Sequence, residues 1–399
     1  MIMKKLIAIS VVFALVVGTA FAVDLSGTVT GSVNVLRGDS GEDSKVTSSA
    51  EMNRIRIDGS GQNEEGTFGA YIRTEVHGLS FTSTDPDWDP TAHYPVSSSK
   101  DLEGKFSVGT GGFYGNAWWK PIDQLKLWVG SNGGDGFFGK EGYACWMFYQ
   151  TVGDTAVADP GNAWWSTYTG GFNFRNAFYG GGLDGQNAFY ATISPAEIVD
   201  INLELPFFNG GEVGDVIGDL IAQVSLNFDF GNIALTYAGD HGDATNGKAY
   251  VYFNLGSIEN LSLDVGVGLT LPGDDEGQPI AAGAALKYNI NDAFGIKFRT
   301  VASFAGKDDY AGFGLLADVL PFYAVNDSVT AFLSGGVAMT APEEGDAVIG
   351  FHLNPYVQVG SEWGPKFLAG FRLWTDGVKG ADDKSTVNWA VPIAISVGF

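Results

Sequence analysis

Any hydrolytic, redox or metal chemistry in this chain would have to be assembled from four histidines, His77, His93, His241 and His352, and one cysteine, Cys145. None has a ligand-like spacing to another, and a bound metal needs several donors converging on one point. The stretch DPDWDPTAHYPV opens like a calcium loop with Asp85, Asp87 and Asp89. The glycine that turns such a loop is here Pro90, and the bidentate acid that ends it is Val96. No G-x-S-x-G occurs, and the G-x-G-x-x-G from Gly180 to Gly185 lies in a loop without the strand-to-helix setting that phosphate binding needs. Cys145 has no basic neighbour in sequence to activate it and reads as a packed small residue. A site assembled at a barrel rim around His77 and His93, both near acidic residues, is the one enzymatic alternative. The expectation is no catalysis, no metal and no cofactor.

A different chemistry follows from the spacing of the charges. In EMNRIRIDGS, Arg54, Arg56 and Asp58 alternate with Ile55 and Ile57; in FGAYIRTEV, Tyr71, Arg73 and Glu75 alternate with Ala70, Ile72, Thr74 and Val76. Successive side chains of a strand point to opposite faces, so these segments back a cationic face with an apolar one. By the same parity Lys126, Lys287, Lys297, Arg299 and Arg372 join the polar face, together with the acids Asp200, Glu204, Asp229 and Asp264. A charge facing lipid near mid-bilayer costs about 2–4 kcal/mol, and the dry core of a soluble sandwich would not tolerate so many. An aqueous lumen would. The chemistry on offer is then electrostatic, a wall that orients and sorts passing solutes.

The elements that must hold such a wall are strands from end to end. In LIAQVSLNFDF, Val224, Leu226, Phe228 and Phe230 oppose Gln223, Ser225, Asn227 and Asp229; in LSLDVGVGLT, Leu261, Leu263, Val265, Val267 and Leu269 oppose small or polar residues. The bulky face is apolar throughout and the other small and polar. Period-2 segments are centred near 30, 55, 71, 115, 128, 190, 202, 225, 236, 251, 265, 284, 299, 315, 333, 353, 370 and 393, giving eighteen strands. Without the segments around FYGNAWWKP and QNAFYATIS the number is sixteen. Short turns such as KPIDQ and FGN alternate with longer acidic connections such as GDHGDATNGK and LPGDDEGQP, the rim asymmetry of a closed outer-membrane barrel.

Composition agrees. The first residues, MIMKKLIAISVVFALVVGTAFA, have two lysines, a short apolar run and an A-x-A cut, so residues 1–22 read as a secretory signal peptide ahead of a single barrel domain, 23–399. The formal net charge of −24 becomes about −26 without Lys4 and Lys5, which makes nucleic acid a poor partner. A lone cysteine forms no internal disulfide, leaving backbone pairing in a closed sheet to hold an exported chain together.

The leader, the strand that follows it at once, the alternating turns and loops, and the final strand STVNWAVPIAISVGF ending in Phe399 resemble the general porins of bacterial outer membranes. The resemblance spans the whole mature chain as architecture, and only the C-terminal pattern is motif-like. Two departures stand in that strand: Val397 where an aromatic is usual, and Pro392, which lacks a ladder donor and is expected at a bulge or beyond the last paired position on its side.

The resemblance implies an outer-membrane location, passive diffusion of small polar solutes and ions, assembly as a homotrimer, and recognition of the Phe399 strand by the barrel-assembly machinery. It also implies that the third external connection, 131–187, folds into the lumen and sets Asp135, Glu141, Asp154 and Asp159 opposite Arg54, Arg56 and Arg73. The alternative for that connection is a surface cap or a trimer contact. Trp118 and Trp119 read as an interfacial girdle, while Trp164 and Trp165 leave sugar contact open. Two other functions share the architecture: a surface-exposed structural or adhesive barrel with a plugged lumen, and a substrate-specific sugar channel.

Overall fold

The computed structural model describes residues 22–40, 46–82, 105–108, 113–131, 187–206, 218–240, 243–271, 280–304, 313–341, 347–361, 365–375, 378–379 and 387–398. These form one antiparallel sheet that closes on itself as eighteen wall strands. In chain order they are β1 (Ala22–Asp39), β2 (Thr47–Gln62), β3 (Phe68–Thr82), β4 (Lys105–Val108 and Phe113–Ile122), β5 (Leu125–Ser131), β6 (Asn187–Ala196), β7 (Val199–Pro206), β8 (Ile221–Phe228) and β9 (Gly231–Asp240). The second half is β10 (Asp243–Ile258), β11 (Leu261–Leu271), β12 (Ile280–Asn289), β13 (Phe294–Phe304), β14 (Phe313–Asn326), β15 (Val329–Ala341), β16 (Val348–Gly360), β17 (Lys366–Gly370, Arg372–Thr375 and Val378–Lys379) and β18 (Val387–Gly398). Each strand pairs with its sequence neighbours, and β1 pairs with both β2 and β18, so the described sheet has no free edge. Every position named above as a strand centre lies in the corresponding strand, including the fourth and sixth.

Local chemistry explains the short-turn rim. Between β2 and β3 the Asn63 side-chain oxygen accepts from the backbone N–H of Thr67 (2.8 Å) and Phe68 (2.9 Å), while Gly66 takes a φ of 64°. Asn291 does the same between β12 and β13, accepting from the N–H of Ala293 and Phe294. Between β10 and β11, Asn260 has a φ of 64°, a left-handed conformation that asparagine tolerates better than most residues. These turns lie at one end of the barrel; the connections at the other end are mostly longer, but β9 and β10 are joined there through 241–242 alone, so most of GDHGDATNGK is strand rather than loop.

Pro392 sits where the ladder breaks on both sides. Towards β1 the register shifts between Asn34 and Leu36; towards β17 pairing stops at Ala369↔Ile393 and resumes at Arg372↔Ala390. The missing N–H therefore leaves no donor owed to a neighbour, as expected from the sequence.

The two faces differ in kind. Outward side chains are large, apolar and uncovered, among them Leu25 (65% exposed), Phe189, Leu235, Val251 and Ile395. Inward positions hold Arg73, Glu75, Asn202, Gln223, Asp264, Lys297, Arg299 and Asn354. The inner face is not small and polar everywhere, however. On β14–β18, Leu320, Phe332, Tyr356, Leu368 and Ala394 form a buried apolar cluster with Phe322 packed against it. Phe332 and Tyr356, cross-strand partners, stack with ring centroids 4.6 Å apart. Both faces of these strands are apolar near the short-turn end, so alternation alone could not separate them.

Candidate functional site

The inner wall gathers charged groups into two arcs. On the first, the β2–β3 hairpin register sets Arg56 opposite Glu75 and Asp58 opposite Arg73. Each arginine meets its neighbour's carboxylate: Arg56 Nε donates to Glu75, and Arg73 Nε donates to Asp58 Oδ1 at 2.6 Å, with Glu75 3.9 Å away. Tyr71 adds its hydroxyl to the same Asp58 oxygen at 2.5 Å. Arg54 holds the next position of that parity, with its backbone between Thr30 and His77. Arg56 and Arg73, which the sequence places on one face with Asp58 and Glu75, are thus ion-paired with those acids.

Next to them β4 and β5 set Trp118 opposite Trp128. Adjacent residues of a strand take opposite faces, so Trp118 turns inward while Trp119 points outward at 55% exposure. The expected girdle therefore contains only the second of the pair. Lys126, also inward, places its ammonium 3.9 Å from the Trp128 ring centroid and 4.6 Å from that of Trp118. These side chains line a cavity of about 570 Å³ together with Tyr71, Arg73 and Asn116. It lies at the short-turn end, because Gln62, Trp118 and Lys126 all flank short turns.

The second arc is closed. On β13 and β14, Arg299 Nε donates to Asp318 Oδ2 at 2.6 Å, and on β16 His352 Nε2 lies 2.8 Å from Asp318 Oδ1. His352 reaches across β15 because the intervening position is Gly336; a Cβ there would fall 2.7 Å from His352 Nε2 and closer still to Asp318. Lys297, only 2% exposed, stands over Phe322 at 5.8 Å. Lys287 faces Lys297 in register, and Arg372 lies over Trp374 at 4.3 Å.

The predicted inward acids take three kinds of place. Asp200 accepts from Ser194 Oγ (2.6 Å) and Asn227 Nδ2 (2.8 Å), and Asp264 from Tyr252 and Asn254. Glu204 is buried on β7. Asp229 is exposed in the turn between β8 and β9. Asp135, Glu141, Asp154 and Asp159, with Trp164 and Trp165, lie outside the described residues. Among the described residues no group of three histidine, cysteine or acidic side chains could hold a metal ion.

Sequence reasoning missed Asp318 as the partner of Arg299, His352 as the second partner of Asp318, and Trp118 as a wall residue. Arg56–Glu75 and Arg73–Asp58 were within reach: a short turn fixes the hairpin register, and the partners sit symmetrically about it. His352 carried no such signal, being two strands from Asp318.

No protein-family model and no curated protein sequence matches the chain. Among solved structures it is similar to Pseudomonas aeruginosa OccK11 (OpdR), with a TM-score of 0.51 and 10% identity over 94% of this chain and 96% of that one. It is also similar to Acinetobacter baumannii OccAB3 (TM-score 0.49, 9% identity, 94% and 99% covered). A triple mutant of Rhodopseudomonas blastica porin matches at a TM-score of 0.44 and 16% identity, covering 94% of this chain and 100% of that one. What is shared with OccK11 at 10% identity is the fold.

Proposed function

We propose that this chain is a bacterial outer-membrane porin, a passive diffusion channel for small polar solutes and ions. One observation carries the reading: a closed eighteen-strand ring whose outer face is apolar and uncovered while its inner face holds the charges. Lipid outside and water inside give both faces a compatible partner. In this reading residues 1–22 are removed on export and Arg54, Arg56, Arg73, Lys126, Lys297, Arg299 and Arg372 belong to the pore wall. The connection 131–187 narrows the lumen with Asp135, Glu141, Asp154 and Asp159. The strand ending at Phe399 engages the assembly machinery, and the barrel works as a homotrimer. A solute-preferring channel is the second reading, favoured by the cavity that holds Lys126 and two indoles.

Single-channel recording in a planar bilayer tests the proposal. Discrete, stable conductance steps are expected, and the reversal potential in a salt gradient reports whether acids or wall cations govern the ion preference. Silence from protein verified as folded and inserted overturns the diffusion-channel reading and turns attention to the surface-adhesive barrel.

A further inference from the structure

Three arginines of the wall are matched by carboxylates: Arg56 by Glu75, Arg73 by Asp58 and Arg299 by Asp318. Lys126 is not. Among the described residues no carboxylate comes within ion-pair distance of its ammonium, which contacts only the faces of Trp118 and Trp128. Asp24 shares the cavity lining, but it is exposed and makes no ion pair with the lysine. An ammonium has three N–H donors, and indole faces satisfy its charge without accepting those hydrogens in full. A partly covered cation of this kind is a ready counter-ion for an oxyanion.

The rest of the cavity indicates what the oxyanion would be attached to. Two indoles give flat apolar surfaces, while Ser60, Gln62, Asn116 and Tyr71 add hydroxyl and amide groups. Its volume of about 570 Å³ lies within the ordinary range of ligand pockets and exceeds what a bare ion needs. We infer that this cavity, at the short-turn mouth of the barrel, binds an anionic sugar, with the acidic group on Lys126, the ring against the indoles and the hydroxyls on the amide and hydroxyl side chains. The inference rests on the channel reading only for its purpose, because the cavity itself can be tested without current.

Titration calorimetry on the detergent-purified, folded barrel uses glucose 6-phosphate as probe, with glucose and inorganic phosphate as controls. The intact protein is expected to bind glucose 6-phosphate at least tenfold more tightly than either control. Lys126→Met should remove the preference for the phosphorylated over the neutral sugar, and Lys126→Arg should keep most of it. Should the variants fail to fold, footprinting of the native protein replaces them: glucose 6-phosphate should protect Lys126 from amine acetylation and leave Lys287, on β12, as reactive as in the free protein. Equal affinity for glucose 6-phosphate and phosphate, undiminished binding in Lys126→Met, or no protection of Lys126 overturns the inference. Binding without conductance overturns the channel reading alone, whereas conductance without binding overturns the sugar site alone.

Discussion

The wall of β1–β5 and the wall of β13–β16 use the same ingredients to opposite ends. Both pair arginine with aspartate at 2.6 Å across neighbouring strands. On β13–β16 the pair is sealed, with both side chains at most 2% exposed, and a histidine closes it from two strands away through the gap at Gly336. On β2–β5 Asp58 and Arg56 stay partly exposed, and a cavity opens beside them with an ammonium that no carboxylate among the described residues pairs. A charge that is matched and dry acts as a fastening, since removing one partner strands the other away from water. A charge that is wet or unmatched remains available to a solute.

This contrast can be broken in order of size. Asp318→Ala should be the most damaging change, costing about 3–5 kcal/mol because it leaves buried Arg299 without its counter-charge; thermal unfolding in detergent, followed by circular dichroism, is the check. A melting curve unchanged from that of the intact barrel would mean the second arc is no fastening. Gly336→Ala is expected to cost about 1–3 kcal/mol, as the added methyl must push Asp318 and His352 apart, and the same melt reads it. In the first arc the larger response should be electrical. Asp58→Asn releases Arg73, so the reversal potential should move towards anions while stability falls by about 1 kcal/mol, the net worth of a hydrogen-bonded pair. The smallest effect is expected from Asp123→Ala, which removes only the exposed Lys120–Asp123 contact at 3.4 Å, and neither melt nor conductance should register it.

How far the sequence carried each arc follows from the same physics. Alternation located all the strands and assigned Arg56, Arg73, Lys126, Lys297 and Arg299 to one face, because side-chain parity is local. Pairing is not local. Arg56 and Glu75 are joined by a short turn that fixes their register, whereas β13 and β14 are joined through 305–312, and no pattern in that connection names Asp318 as the partner of Arg299. The His352 contact depends on what is absent at Gly336, and one glycine among 57 gives no sign of it. The apolar cluster of Phe322, Phe332 and Tyr356 was hidden for another reason: near the short-turn end both parities of these strands are apolar, so the inward set looked like its neighbour.

Pro392 bears on the moment of closure. A final strand sliding past β1 and β17 by two residues keeps every side chain on its proper face, so the greasy stripe alone cannot reject that slip. The imide ring can. Shifted by two, it would meet a carbonyl awaiting a hydrogen that proline cannot give, on the one flank its nitrogen faces, while the gaps at Val35 and at Gly370–Phe371 would stand empty. The proline therefore works as an indexing pin, admitting one alignment of the seam and making misthreaded rings costly before they are complete.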